Sequence, residues 1–269
     1  EGITVEGGHM AGSVARVARN NEEAKRFVEA SYAQGVDLVK LMITGGVLDA
    51  KEKGVPGEMK MPEDMIQAIC KKAHQLGLLT SAHVESTEGV KAALRNGVDS
   101  IEHGAKPDQE MMELFKEKKA FLITTLSPAL PFALFDPSVS KVDDTQLFNG
   151  KMVFDGIVEC SKAALENHIP VGLGNDVGCP WITQYDFYRE LVYFHKYVGV
   201  TNGFAIYTAT LQNAILAGIS DITGSIDAGK QADMIVVKEN PLDDLNALKN
   251  IELVFTKGKM VHPKIKRDK

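Results

Sequence analysis

Cysteine is scarce in this 269-residue chain: Cys70, Cys160 and Cys179 are the only three, far apart and without C-x-x-C spacing. That excludes a disulfide scaffold and a thiolate metal site, and it suits a reducing, cytoplasmic setting. Apolar runs are short. None reaches about eighteen residues, the length a membrane-crossing helix needs, so neither a transmembrane segment nor a membrane partner is expected. Clustered basic residues are missing from a chain of formal net charge −6, which argues against a nucleic-acid surface. The basic stretch Lys264–Lys269 reads as a solvated terminus. No G-x-S-x-G surrounds Ser81 or Ser127, which excludes a nucleophile elbow. A hydrophobic content of 44% is enough for a substantial core in one α/β domain.

What is present is an alternation of strand and helix. Short β-rich runs at 36–43, 78–84, 99–103, 120–125 and 169–176 alternate with helical patterns at 22–34, 63–76, 87–96, 109–118 and 150–167, and such alternation implies a parallel sheet. Asn21 is placed to cap the first helix, with Gly35 just past its end. Residues 126–146, carrying Pro128, Pro131 and Pro137 with Phe132 and Phe135, read as a long irregular loop that forms a lid or a wall of a substrate pocket. Beyond Asp176 the pattern changes. Helices are expected at 184–197 and 202–218, then strands in GSIDAGKQADMIVV and near 252–256 and 259–262 that alternate poorly with helices and should leave the main sheet.

Four residues that carry metal chemistry stand at the ends of four strand-like runs: Lys40 in LVKLM, His83 in LLTSAHV, His103 in DSIEHGA and Asp176 in PVGLGND. Such ends converge if the runs are neighbouring parallel strands of one barrel. Imidazole and carboxylate are ligands for zinc or a similar divalent ion, and a strand end holds each with little rotamer freedom. An ammonium binds no cation. Lys40 is therefore either a charge partner or, after reaction with carbon dioxide, a carbamate that offers anionic oxygens. A lone histidine after an apolar run is usually a packed or surface residue; four ligand types at four successive strand ends are hard to obtain by accident. The other histidines read as bland: His74 on a charged helix face, His168 at the wrong strand end, His195 within the aromatic YRELVYFHKY and His262 in the tail.

The stretches VKLMITGGV, AHVES, SIEHGA and GLGND, followed by TATLQNA, GSIDAGKQADMIVV and VFTKGKMV, resemble the amidohydrolase superfamily in its own order along essentially the whole chain. They are most similar to its metal-dependent Xaa-Pro dipeptidase (prolidase) and carboxypeptidase-like branch. The resemblance implies a TIM-like (β/α) barrel whose carboxylated Lys40, His83, His103 and Asp176 hold metal. Asp176 would be the catalytic general base, and His9 in the GGH segment would face substrate. The family's first strand ends in a His-x-His pair, and this chain has none. The sequence therefore reads as the C-terminal two thirds of a longer enzyme.

The expected architecture is a barrel lacking its first strands over 1–222, with 223–269 supplying C-terminal strands of a small β-sandwich domain. Two divalent ions are expected in the complete enzyme and at most one here. The implied activity is hydrolysis of an amide or peptide bond in a dipeptide or N-acyl amino acid. A cyclic-amide hydrolase, a deaminase and a non-catalytic remnant are the alternatives. A small-molecule or dipeptide substrate and a homo-oligomer are the expected partners.

Overall fold

A computed structural model describes residues 2–263; the basic stretch Lys264–Lys269 lies outside the described residues. The strands β1 (Gly2–Thr4), β2 (Ala15–Val17), β3 (Leu38–Met42), β4 (Leu79–Val84), β5 (Ser100–His103), β6 (Phe121–Thr124) and β7 (Val171–Leu173) form one sheet, in the order β2-β1-β3-β4-β5-β6-β7. The pairings from β2 through β6 are all parallel. Helices follow the strands: α1 (Asn21–Ala33), α2 (Glu63–Gln75), α3 (Thr87–Arg95), α4 (Gln109–Lys118), α5 (Leu126–Leu134), α6 (Pro137–Ser140) and α7 (Asp144–Glu166). The expected α/β sheet with helices is what forms.

Local chemistry accounts for these elements. Leu41, Ala82, Ile101 and Leu122 are fully buried in successive strands. In α2 the buried residues Met65, Ile66, Ile69, Cys70 and Ala73 recur at the spacing of one helical face. Helix starts are capped: Ser86 accepts from Gly89 N–H, Asp108 from Met111 N–H, and Asp143 forms a capping box with Gln146. Asn20, not Asn21, caps α1 through the Glu23 N–H.

The expected irregular loop at 126–146 is instead helical. Pro128 falls in the first turn of α5, where its missing N–H costs little, and residues from Leu126 to Ala133 are buried nearly all round. Burial of this apolar stretch outweighs the helix-breaking tendency of Pro131. Helix α7 also begins earlier than the apolar pattern indicated, because the cap at Asp143 recruits Asp144 and the residues after it.

By internal packing the chain divides into two compact units, Glu1–Val171 and Gly172–Lys269. The second contains α8 (Tyr188–Tyr193), which continues into a π turn at Phe194–Val198, then α9 (Asn202–Tyr207), a second π turn at Thr208–Gln212 and α10 (Asn213–Leu216). A separate antiparallel sheet, β8 (Met234–Val237), β9 (Ile251–Thr256) and β10 (Lys259–His262), closes it. The end of β7 is tied to α10 by Asn213: Leu173 N–H donates to Asn213 Oδ1 at 3.0 Å, and Asn213 Nδ2 donates to Leu173 O at 2.8 Å. That side chain takes up backbone groups that a further strand would otherwise pair. Among the described residues no helix is long and apolar enough to cross a membrane.

One long-range clamp concerns the β3–α2 loop. Asn149, fully buried in α7, accepts from Gly54 N–H at 2.8 Å and donates to Glu52 O at 2.8 Å. Replacing Asn149 by Ala removes both bonds and should cost about 1–3 kcal/mol, with faster hydrogen exchange at the Gly54 amide while the amides of β4 and β5 keep their protection. Unchanged exchange at Gly54 would show that the clamp does not hold the loop. The thiols make a second test. Burial pushes Cys70 and Cys160 up to about 12, whereas Cys179 is partly exposed. At pH 8 an alkylating reagent should modify Cys179 in the folded protein and reach the other two only on unfolding, as read by mass spectrometry.

Candidate functional site

Register decides which side chains meet. In the parallel ladder Lys40 lies opposite Ser81, Met42 opposite His83, and His83 opposite Glu102, so Lys40, Ser81, His83 and Glu102 share one face of the sheet. Ser81 Oγ donates to Glu102 Oε1 at 2.5 Å, and Lys40 Nζ lies 3.9 Å from the same oxygen. Strict alternation would send His103 to the opposite face from Glu102. The backbone departs from it there: His103 has φ +69° and Gly104 φ +86°. The His103 ring then meets His83 edge-on at 4.7 Å between centroids. A left-handed backbone at a residue with a Cβ costs about 1–2 kcal/mol, and such conformations gather at functional sites.

His9 arrives from the other side. Gly7 takes φ +66°, and a Cβ on Gly8 would sit 2.4 Å from Thr4 Oγ1, so the G-G-H turn closes only with glycine at that second position. The turn lays the His9 ring flat on His83, at 4.1 Å between centroids and 5° between planes. Lys40, His83, His103 and His9 are thus brought together. His83 is buried, and burial, followed by the positive charge available to His103, His9 and Lys40, pushes its pKa well below the usual imidazole range. A neutral imidazole is the form that binds a metal.

Glu85 completes a donor set that the sequence reading passed over. Donor atoms of His83, Glu85 and His103 all lie within 4.8 Å of one another. Glu85 stands two residues after His83, and the two-residue period of a strand puts both on one side; that spacing was the available signal. Hydrogen bonds from neighbouring groups orient the set. His83 Nε2 lies 3.3 Å from Gly45 O, His103 Nδ1 pairs with Thr125 Oγ1 at 2.6 Å, and Glu85 Oε2 accepts from Val47 N–H at 3.1 Å. Two imidazoles and a carboxylate, with second partners on the rings, make a chemically suitable site for one zinc-like divalent ion.

Asp176 belongs to the second unit. It too has a left-handed backbone, φ +49°, and its Oδ2 accepts from the Cys179 thiol at 3.2 Å. Of the other histidines, His74 pairs with Asp99 at 2.8 Å and His168 follows α7 with φ +57°, while His195, in the second unit, is exposed with Nδ1 2.6 Å from Val200 O.

Known proteins place this arrangement in context. The solved structure of a putative prolidase from Bifidobacterium longum matches with a TM-score of 0.89 and 36% identity, over 97% of this chain and 64% of that one. A Xaa-Pro dipeptidase solved with bound methionine in its active site matches with a TM-score of 0.84 and 29% identity, over 97% and 66%. Ochratoxinase from Aspergillus niger is 27% identical over 249 residues, which are 91% of this chain and 50% of the enzyme. The chain therefore spans about half the length of the curated relatives it matches. The sequence model of the amidohydrolase family fits residues 2–261, and the chain belongs to that family.

Proposed function

We propose that this chain carries the site of a metal-dependent hydrolase that cleaves the C–N bond of an amide in a dipeptide or N-acyl amino acid. The observation that carries the reading is the convergence of His83, Glu85 and His103 within 4.8 Å, beside Lys40 and His9, in a chain of the amidohydrolase family. The names of the matched proteins, Xaa-Pro dipeptidase and ochratoxinase, support the substrate class.

His83 and His103, with Glu85, would hold zinc or a similar divalent ion. When bound, such an ion supplies Lewis acidity, lowering the pKa of a water and polarising a carbonyl. The chain's own groups do the rest. Asp176 accepts the proton of the attacking water and returns it to the leaving nitrogen, a general base turned acid. His9 faces the substrate and takes part in its hydrogen bonding. Lys40, as a neutral amine, would add to carbon dioxide with loss of one proton; the N–C bond formed would make a carbamate whose oxygens would offer a further ligand. In its ammonium form the same residue neutralises Glu102.

The test is elemental analysis together with assays on Xaa-Pro dipeptides, N-acyl amino acids and cyclic amides. The single donor group found among the described residues gives an expectation of one tightly bound divalent ion per chain; two ions per chain would contradict it. His83→Ala and His103→Ala should each lose the ion and the activity together. Asp176→Asn should keep the ion and lower turnover by about 100-fold to 10,000-fold. Near-normal turnover in Asp176→Asn would show that the carboxylate is structural, and turnover undiminished by a chelator would sink the metal-dependent reading.

A further inference from the structure

The loop between β3 and α2 contributes a second carboxylate that the proposed mechanism leaves unused. Asp49 Oδ2 lies 2.5 Å from His9 Nδ1 and accepts from Gly46 N–H at 2.9 Å. The backbone of this loop turns on the same residues, with Asp49 N–H donating to Gly46 O at 3.0 Å. Forty residues separate His9 from Asp49, so the pairing is made by the fold and not by a local turn. Hydrogen bonding to His9 is the main influence holding the Asp49 carboxyl below its usual range, and a carboxylate in that state is an acceptor only. The proton between the two therefore resides on the imidazole nitrogen.

Two contacts together leave the His9 ring little freedom. Stacking on His83 sets its plane, and the bond to Asp49 sets its rotation within that plane. With Nδ1 engaged, Nε2 is the nitrogen left for another partner. We propose that Asp49 is a positioning residue: held by the Gly46 N–H, it fixes His9 as the Nδ1–H tautomer and leaves the Nε2 lone pair to accept a hydrogen bond from an N–H group of the substrate. The last clause rests on the substrate-facing role proposed for His9; the tautomer does not. The same logic governs histidines generally, because the group bonded to one ring nitrogen decides what the other presents.

The test reads the tautomer directly, through long-range proton–nitrogen correlations in protein labelled with ¹⁵N-histidine, alongside kinetics on the full enzyme. His9 should carry its proton on Nδ1. Asp49→Ala should release it to the Nε2–H form or to an exchanging mixture and lower kcat/KM about tenfold to hundredfold, the range for a lost hydrogen bond to a charged group. Asp49→Asn should restore the Nδ1–H form and most of the activity, since its Oδ1 still accepts from both His9 and Gly46. An Nε2–H tautomer in the unmodified protein, or an unchanged Nδ1–H tautomer in folded Asp49→Ala, would overturn the proposal. The reading beneath it fails separately: His9→Ala with undiminished kcat/KM would remove the substrate clause even where Asp49 is found to control the tautomer.

Discussion

Everything at the strand ends depends on one buried imidazole. His83 is wedged between the flat of His9 and the edge of His103, with the Lys40 ammonium close by. Four groups able to carry positive charge have been packed where water is scarce, and mutual repulsion in such a place is several times stronger than at a surface. Burial, followed by these neighbours, pushes the pKa of the central ring well below the usual imidazole range. The neutral ring has a lone pair to offer, and Glu85, Glu102 and Asp49 bring negative charge to the cluster. An arrangement that would be costly as a collection of cations is therefore well adapted as a ligand platform.

The β3–α2 loop supplies much of that adaptation. Thr44 Oγ1 accepts from Glu85 N–H at 3.0 Å, the Gly45 carbonyl meets His83, the Val47 amide binds the Glu85 carboxylate and Asp49 holds His9. Two of the four contacts use backbone groups, the Gly45 carbonyl and the Val47 amide, and both require the loop to lie within hydrogen-bond reach of the end of β4. Glycine makes the approach possible: a Cβ on Gly57 would fall 2.4 Å from the Glu85 carbonyl carbon. The clamp from Asn149 holds the far side of the loop. The strands thus present His83 and His103, and the irregular segment supplies partners to His83, Glu85 and His9.

Much of this was legible in the sequence. Alternating strand and helix patterns located β3 to β6 and the helices α1 to α4 within a few residues, because each element repeats one strong apolar period. Ligand-type residues at the ends of those runs gave Lys40, His83 and His103. Glu85 was legible in principle, two residues after His83 and just past the end of β4. Asp49 was not: nothing in the local pattern connects a loop aspartate to a histidine forty residues earlier, and only the closure of the G-G-H turn over the sheet makes them partners. The segment after Thr125 misled for a physical reason. Proline content speaks of backbone cost alone, whereas the helix there is maintained by burying Leu126, Leu130 and Phe132, at about 1.5–3 kcal/mol for each such side chain.

The strained backbone at His103 shows how the sheet and the helical layer cooperate. An imidazole on the regular side of β5 would point away from His83, so the ring reaches the cluster only if the strand breaks its alternation at that residue. The break costs about 1–2 kcal/mol, and it persists because the surroundings determine it from several directions. Thr125, at the end of β6, binds Nδ1 of the ring at 2.6 Å. Behind the turn, Gly104 fits against α7 so closely that a Cβ would meet Cys160 Sγ and Leu122 Cδ1 at 3.0 Å each. A larger residue at 104 would have to displace both neighbours and would also be strained at φ +86°. The H-G pair in SIEHGA is thus one device: the histidine carries the chemistry, and the glycine lets α7 press the turn into the only shape in which that histidine faces inward.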